Sequence, residues 1–197
     1  MALNSFSVTD FMSNMDTLGG YAQRHKYSVQ IIPPSSLQSS VGSGKIDFLA
    51  KSVLIPRKGF ATTEHRTYGI NRTVPYEQTF EPVLLTMINT NDWGPRVFWD
   101  EWLDHIQNPS TKDLTYYRES VGTVFIDHYD DETTEVGGVS NYSVTLFEAW
   151  PENISAIALA WENKDVQDFE ISLRYKSWSA GGGLTSSTAT TATIGIG

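Results

Sequence analysis

Apolar and polar residues alternate most regularly between residues 168 and 178. The apolar members of this segment are Phe169, Ile171, Leu173 and Tyr175. The residues between them, from Asp168 to Lys176, are polar or charged. A period of two predicts a β-strand with one face on a core. Upstream, Trp150-Pro151 predicts a stop before this strand, because proline fixes its own φ and biases the preceding residue to extended geometry.

Shorter stretches with the same alternation predict further strands. They cover residues 27–31, 46–55, 79–89, 123–129 and 142–148. Residues 154–161 fit either a strand or a short helical turn. Residues 57–75 contain few large apolar side chains, and Gly59, Gly69 and Asn71 supply turns. This segment therefore predicts a long two-stranded hairpin that leaves the core.

One segment, residues 94–107, has helical periodicity. Its apolar stripe consists of Pro95, Phe98, Trp99, Trp102, Leu103 and Ile106. Asn91 and Asp92 offer capping oxygens, and Pro95 suits a first helical turn. Residues 1–20 predict an N-terminal arm or short helix that ends at Gly19-Gly20. Residues 180–197 are rich in Gly, Ser, Thr and Ala and predict a flexible tail.

The predicted strands dominate and do not alternate with helices. The expected fold class is therefore mainly β, an antiparallel β-sandwich or barrel-like subunit with one flanking α-helix, in one β domain over residues 21–179.

Charge and composition exclude several kinds of protein. The formal net charge is −9 and the sequence pI is about 4.8. A chain this acidic does not hold DNA by neutralising phosphates. It contains no cysteine, which excludes disulfides and thiolate zinc sites. The N-terminus lacks a signal-peptide pattern, and the apolar run 154–161 is far shorter than the ~20 residues that span a bilayer. We expect a chain made in the cytoplasm that does not itself bind membranes.

Catalytic and metal-binding patterns are missing from the sequence. The four histidines lack metal-ligand spacing, and the acidic cluster from Asp127 to Glu135 lacks calcium-loop spacing and predicts a solvated turn. No nucleophile–base arrangement stands out. We expect no enzyme activity, cofactor or metal. Most of the six tryptophans, including Trp161 and Trp178, are expected in the core.

Several motifs occur in a characteristic order. They are Arg24-His25-Lys26-Tyr27-Ser28-Val29-Gln30-Ile31, the stretch from Phe48 to Pro56, Arg72-Thr73-Val74-Pro75-Tyr76 through Pro82, Asn91-Asp92, the Trp-rich helix, Trp150-Pro151 with Ile154, and the strand to Trp178. This order closely resembles the tail tube proteins of T4-like contractile-tailed bacteriophages, over about residues 20–178. Residues 35–45 and 180–197 resemble additions to the family pattern.

The resemblance implies a structural subunit of the virion tail. Such proteins form hexameric rings, stacked helically into a tube, in which the sheets of neighbouring subunits join into one large barrel. The implied partners are further copies of the chain, the tail sheath protein, baseplate or initiator proteins, the tape-measure protein, and DNA that passes without sticking. A baseplate or tube-initiator paralogue of the same fold is the alternative, and type VI secretion ring proteins are more distant relatives. A carbohydrate-binding β-sandwich is the alternative from a different class.

Two sets of residues are candidates for assembly surfaces. The inter-ring interface is expected in the 57–75 hairpin, with Arg57, Lys58, Glu64, His65, Arg66 and Arg72. An ordinary surface hairpin is the competing interpretation. The lumen lining is expected to include Asp127, Glu148, Asp168 and Glu170. Lumen carboxylates would repel phosphates within ~8 Å at physiological salt, so that DNA slides.

Overall fold

The computed structural model describes residues 7–17, 21–37, 46–66, 68–129, 140–162 and 164–182. Within these ranges the helices are α1 (Val8–Thr17), α2 (Gly94–Ile106) and α3 (Tyr117–Ser120). The strands are β1 (Tyr27–Ile32), β2 (Ala50–Val53), β3 (Lys58–His65), β4 (Arg72–Phe80), β5 (Val83–Ile88), β6 (Gly122–His128), β7 (Tyr142–Ile154), β8 (Asp168–Arg174) and β9 (Ser177–Gly182).

Two antiparallel sheets share the long strand β7. Its first part pairs with β6 and β9, and its last part pairs with β8. We call the strands in the order β1-β6-β7-β9 sheet A, and the strands in the order β7-β8-β5-β2 sheet B. β3 and β4 form a separate two-stranded sheet. The expected fold class, a mainly antiparallel β-sandwich, is confirmed.

The core lies between the two sheets and α2. Sheet A contributes Val29, Ile31, Val124, Ile126, Val144 and Leu146, all buried. Sheet B contributes Val83, Leu85, Met87, Phe169, Ile171 and Leu173. α2 adds Trp99 and Trp102, whose rings stack 5.4 Å apart and 3° from parallel. The inner face of each sheet therefore buries every second residue, as the period of two predicts.

Helix α2 starts one residue after an unusual position. Its N-cap, Trp93, has φ 57° and makes no side-chain capping hydrogen bond. Gly94 N–H instead donates to Asp92 Oδ1 at 3.4 Å, and Pro95 lies in the first turn as predicted. The helix ends at Ile106 because Gln107 is extended, with φ −134° and ψ 114°.

The predicted stop at Trp150-Pro151 is wrong. β7 continues through both residues to Ile154, and its register to β8 shifts between Pro151 and Asn153. Proline has no N–H for a ladder, and a bulge tolerates that loss. This is also where β7 leaves sheet A and joins sheet B, just after Glu148, which has φ 52°. The proline marks a crossing between sheets and not an end.

The predicted strand 168–178 is two strands. β8 ends at Arg174 and belongs to sheet B, whereas β9 begins at Ser177 and belongs to sheet A. The alternation continues across the break because Phe169, Ile171 and Leu173 of β8 and then Trp178 of β9 face the same core, although Trp178 is only partly buried. The predicted tail start is also wrong, since residues 180–182 belong to β9. The rest of the tail, 183–197, lies outside the described residues.

Three other predicted boundaries are corrected. Residues 46–55 contain a 3-10 turn, Asp47–Leu49, before the short β2, because the Asp47 carboxylate accepts a hydrogen bond from Ile31 N–H at 3.0 Å. Residues 79–89 break at Glu81-Pro82, so that β4 ends in the hairpin and β5 begins in sheet B. Among the described residues from 155 to 162, no strand follows β7. The predicted acidic turn at 130–138 lies outside the described residues.

Candidate functional site

The β3–β4 hairpin projects away from the sandwich. Its strands pair from Lys58↔Phe80 at the base to His65↔Arg72 near the tip, with a bulge at Ala61. Eight extended residues span about 26 Å. Most of its residues are exposed on both strands. The hairpin therefore does not serve to cover the core.

The structure separates the six predicted inter-ring residues into a base and a tip group. Arg57 at the base pairs with Glu81 at 3.1 Å, and Lys58 Nζ lies 5.5 Å from the ring centroid of Trp178. The Arg57–Glu81 pair joins the residues that flank the two hairpin strands, and Lys58 brings the hairpin base into contact with β9. The other four lie at the far end: Glu64, His65, Arg66 and Arg72.

The hairpin tip also carries two large apolar side chains that the sequence reasoning missed. Tyr68 is 99% exposed and Ile70 is 89% exposed. Between them Gly69 has φ 85°, a left-handed conformation that suits glycine at a turn. The signal that could have revealed them was two large apolar residues in an otherwise polar turn. Such exposure marks a contact surface more readily than a scattered surface residue does.

The four predicted lumen carboxylates do not share a surface. Asp127 lies on β6 and faces away from the core of sheet A, opposite Ser28. Asp168 and Glu170 lie on β8 and face away from the core of sheet B. The outer faces of two sheets that share a core point away from each other. Glu148 lies at the crossing of β7, apart from both groups.

Ion pairs neutralise part of this charge. Lys176 Nζ donates to Glu148 Oε1 at 2.7 Å, and this hydrogen bond lowers the pKa of Glu148 and raises that of Lys176. Asp168 pairs with Lys51. In the part of the chain that the structure describes, Asp127 and Glu170 make no ion pair.

The outer face of sheet A is nearly uncharged and carries polar side chains together with the large apolar side chains of Ile32, Phe125 and Phe147. Its strand residues include Ser28, Gln30, Thr123, Phe125, Asp127, Ser143, Thr145, Ser177 and Ser179. Neither Lys nor Arg occurs on this face within the paired strands. Among the described residues, sheet A ends in β1 on one side and β9 on the other, and each of them pairs with one neighbouring strand. The β9 edge thus offers backbone groups to another chain, whereas at the β1 edge Ile31 N–H already donates to Asp47 Oδ1 at 3.0 Å.

The connection from β7 to β8, residues 155–167, forms an exposed apolar surface; Asn163 lies outside its described residues. Leu159, Trp161 and Val166 are 77%, 104% and 73% exposed. Beside it lies a cleft of about 900 Å³ lined by residues 156–161, residues 165–168 and Lys51. The expectation that Trp161 belongs to the core is wrong. Trp178, by contrast, is partly buried and packs against the core.

Comparison with known proteins identifies the family. The sequence matches the phage tail tube protein family over residues 22–181. The chain belongs to this family. It is also 25% identical over 174 residues to the tail tube protein of Serratia phage KSP90, covering 86% of this chain and 94% of that protein. The resemblance found in the sequence motifs is confirmed, and this tail tube protein is a structural subunit whose place is the tail of the virion.

Solved structures share the fold of this tail tube protein. A chain of the PVC sheath-tube complex, an extracellular contractile injection system, superimposes with a TM-score of 0.61 at 13% identity, covering 90% of this chain and 99% of that one. A chain of the anti-feeding prophage baseplate gives 0.60 at 16% identity, covering 83% and 97%. At such identities the likeness concerns the fold.

The described residues of this tail tube protein contain no group of three or more His, Asp or Glu side chains that could hold a metal ion. None of the helices within the described ranges combines the length and apolar character required to cross a bilayer. The surfaces that remain as candidates for function are the hairpin, the outer face of sheet A and the β7–β8 loop.

Proposed function

We propose that this protein builds the tube of a contractile phage tail from stacked hexameric rings, and that the genome passes through the tube into the host. The observation that carries the proposal is a sandwich whose sheet A ends in two edge strands, β1 and β9, together with a long hairpin whose strands are mostly exposed beyond the base. A protein that acts alone would leave both features as liabilities.

Ring closure uses the two edges of sheet A. β1 of one subunit pairs with β9 of the next, so that six four-stranded sheets close into one barrel. A heterologous contact of this kind closes a ring when its rotation fits, and closure removes the exposed edges.

Ring stacking uses the hairpin. Its tip, with Arg66, Tyr68, Ile70 and Arg72, reaches a subunit of the adjacent ring. Removing residues 66–71 is expected to leave folded rings or monomers without tubes, because the sandwich core does not depend on the tip. Normal tubes from this deletion variant would contradict the role.

The channel is lined by the outer face of sheet A. DNA slides along this face, on which the described paired strands carry no lysine or arginine, and Asp127 adds repulsion, as does the net charge of −9. Under this assignment Asp168 and Glu170 lie on the outside of the tube. A reconstruction of the assembled tube tests the assignment: Asp127 must face the channel, and a channel lined by β8 would refute it.

The partners of the proposed tube are the sheath, the baseplate or its initiator, and the tape-measure protein. Support comes from the folds found in the PVC sheath-tube complex and in the anti-feeding prophage baseplate. The proposed role needs no catalysis, cofactor or metal.

Electron microscopy of the purified protein tests the function. We expect long hollow tubes of uniform diameter at high protein concentration. A tube initiator of the same fold is the second candidate, because the baseplate chain superimposes as well as the tube chain does, with TM-scores of 0.60 and 0.61. Rings that never elongate would favour the initiator, and a monomer at every concentration would contradict both.

A further inference from the structure

We infer that the hairpin tip of one subunit docks into the cleft beside the β7–β8 loop of a second copy in the next ring. The inference rests on the proposed stacking and adds the acceptor surface that stacking requires.

The first argument is position: the hairpin and the loop leave sheet B at opposite ends. At one end, Phe80 of the hairpin base packs edge-on against Tyr175, which follows β8, with ring centroids 5.9 Å apart. The Tyr175 hydroxyl also donates to Glu81 O at 2.9 Å. At the other end, Asn89 N–H donates to Gln167 O at 2.9 Å, where the loop enters β8.

The seven residues of β8 separate these two ends by about 23 Å. A surface at one end that fits a surface at the other end of an identical subunit gives a head-to-tail contact. Such a contact repeats along an axis without closing, which is the symmetry of a stacked tube.

The second argument is shape and polarity. The tip presents Tyr68 and Ile70, both almost fully exposed. The loop presents Leu159, Trp161 and Val166 around a cleft of about 900 Å³. The cleft itself is lined by polar as well as apolar groups, and the exposed apolar side chains of the tip and of the loop lose contact with water when they meet.

The third argument is charge. The hairpin 57–80 carries four basic and two acidic residues in a chain with a net charge of −9. Its tip has Arg66 and Arg72 beside the apolar pair. The loop and the first residue of β8, 155–168, carry three acidic residues and one basic residue; Lys51, which also lines the cleft, pairs with Asp168, so that Glu162 and Asp165 are the other acidic residues there. Opposite charges around an apolar centre set the register of a contact and disfavour other pairings.

Cysteine cross-linking tests the contact cleanly because the wild-type chain has no cysteine. The test variant combines Ile70→Cys with Leu159→Cys, and assembled tubes are treated with a short bismaleimide linker. The matched control combines Ile70→Cys with Leu114→Cys, a residue that is 73% exposed but lies in the loop after α2.

We expect a ladder of dimers, trimers and longer species in a denaturing gel of the test variant, since each subunit donates one tip and accepts another. A mixture of the two single-cysteine proteins must stop at dimers. The control must stay monomeric.

Tubes that form normally but yield no ladder, or a control that cross-links equally, would overturn the docking site and leave the proposed tube intact. Should the paired cysteines block assembly, Tyr68→Cys and Val166→Cys are tested singly. Loss of tubes from both, with unchanged thermal unfolding and with Leu114→Cys still assembling, supports the contact, and assembly of either refutes it. Failure of the wild-type chain to form tubes refutes the proposed function itself.

Discussion

Gly122, the first residue of β6, is the position at which the smallest substitution should have the largest effect. A Cβ atom there would lie 2.4 Å from Ile32 O in the adjacent strand β1 and 2.9 Å from Cη2 of Trp102. The first contact is about 0.6 Å shorter than the 3.0 Å that real Cβ atoms keep. The carbonyl belongs to a paired backbone and cannot rotate away, and the indole is fully buried.

The cost of Gly122→Ala follows from these contacts. Overpacking of this kind costs roughly 1–3 kcal/mol, and the lower entropy of the unfolded chain returns about 0.4–1 kcal/mol. We expect a net loss of about 1.3 kcal/mol. For a chain of this size that lowers Tm by about 3–5 °C.

The assay is urea and thermal unfolding followed by tryptophan fluorescence, at a concentration at which the protein is monomeric, since assembly would add its own stabilisation. Gly181→Ala in β9 is the matched control, because its Cβ meets nothing within 4 Å. This control should change stability by no more than about 0.5 kcal/mol. Equal stability of the two variants would refute the packing described at the β1–β6 contact.

Three further results are expected. Trp102→Phe should cost about 2–4 kcal/mol in chemical unfolding, because it removes the indole N–H bond to Ser120 O at 2.9 Å and leaves a cavity; a loss below 1 kcal/mol would contradict this. Burial raises the pKa of Asp47 above 3.8, so its favourable contribution is present below that pH and is lost as the pH rises through the folded pKa. Asp47→Asn should therefore stabilise the fold at pH 7 and not at pH 3, as pH-dependent melting would show. The Lys176 bond holds the pKa of Glu148 below 4.5, so the stabilisation is present above pH 4.5 and is lost as the pH falls through the lowered pKa. Lys176→Met should raise the Glu148 pKa measured by NMR titration, and an unchanged pKa would exclude the pair.

The fold class could be predicted from the sequence because one rule holds along the five strands that form most of the core, β1, β5, β6, β7 and β8. Alternate residues such as Phe169, Ile171 and Leu173 are buried wherever a strand has one face on the core. The same pattern could not show where strands end. A chain that leaves sheet B after Arg174 and enters sheet A at Ser177 keeps its alternation, because both sheets enclose one core.

At Pro151 the sequence pattern failed in the opposite way, because it predicted a strand end where the strand continues. Proline predicts a break from local geometry, but strand partners are set by contacts far away in sequence. Here β8 takes over from β6 and β9 with a bulge that accommodates the missing N–H. The backbone geometry of proline predicts the loss of one hydrogen bond in the strand ladder. It does not predict whether the strand continues by pairing with a different partner.

For the candidate site, the sequence by itself determined that residues 57–75 leave the core as a hairpin, because polar composition and turn residues suffice for that. It also determined, through the motif order, the family to which the chain belongs. Only the tertiary structure decided which surfaces face each other. Trp161 is a large apolar residue of the kind expected in a core, yet it is fully exposed. Asp127 and Glu170 lie on the outer faces of different sheets and are separated by the sandwich core. The physical reason is that the exposure of a side chain, and the surface on which it lies, depend on which helices and strands pack together. That packing depends on contacts between residues far apart in the sequence.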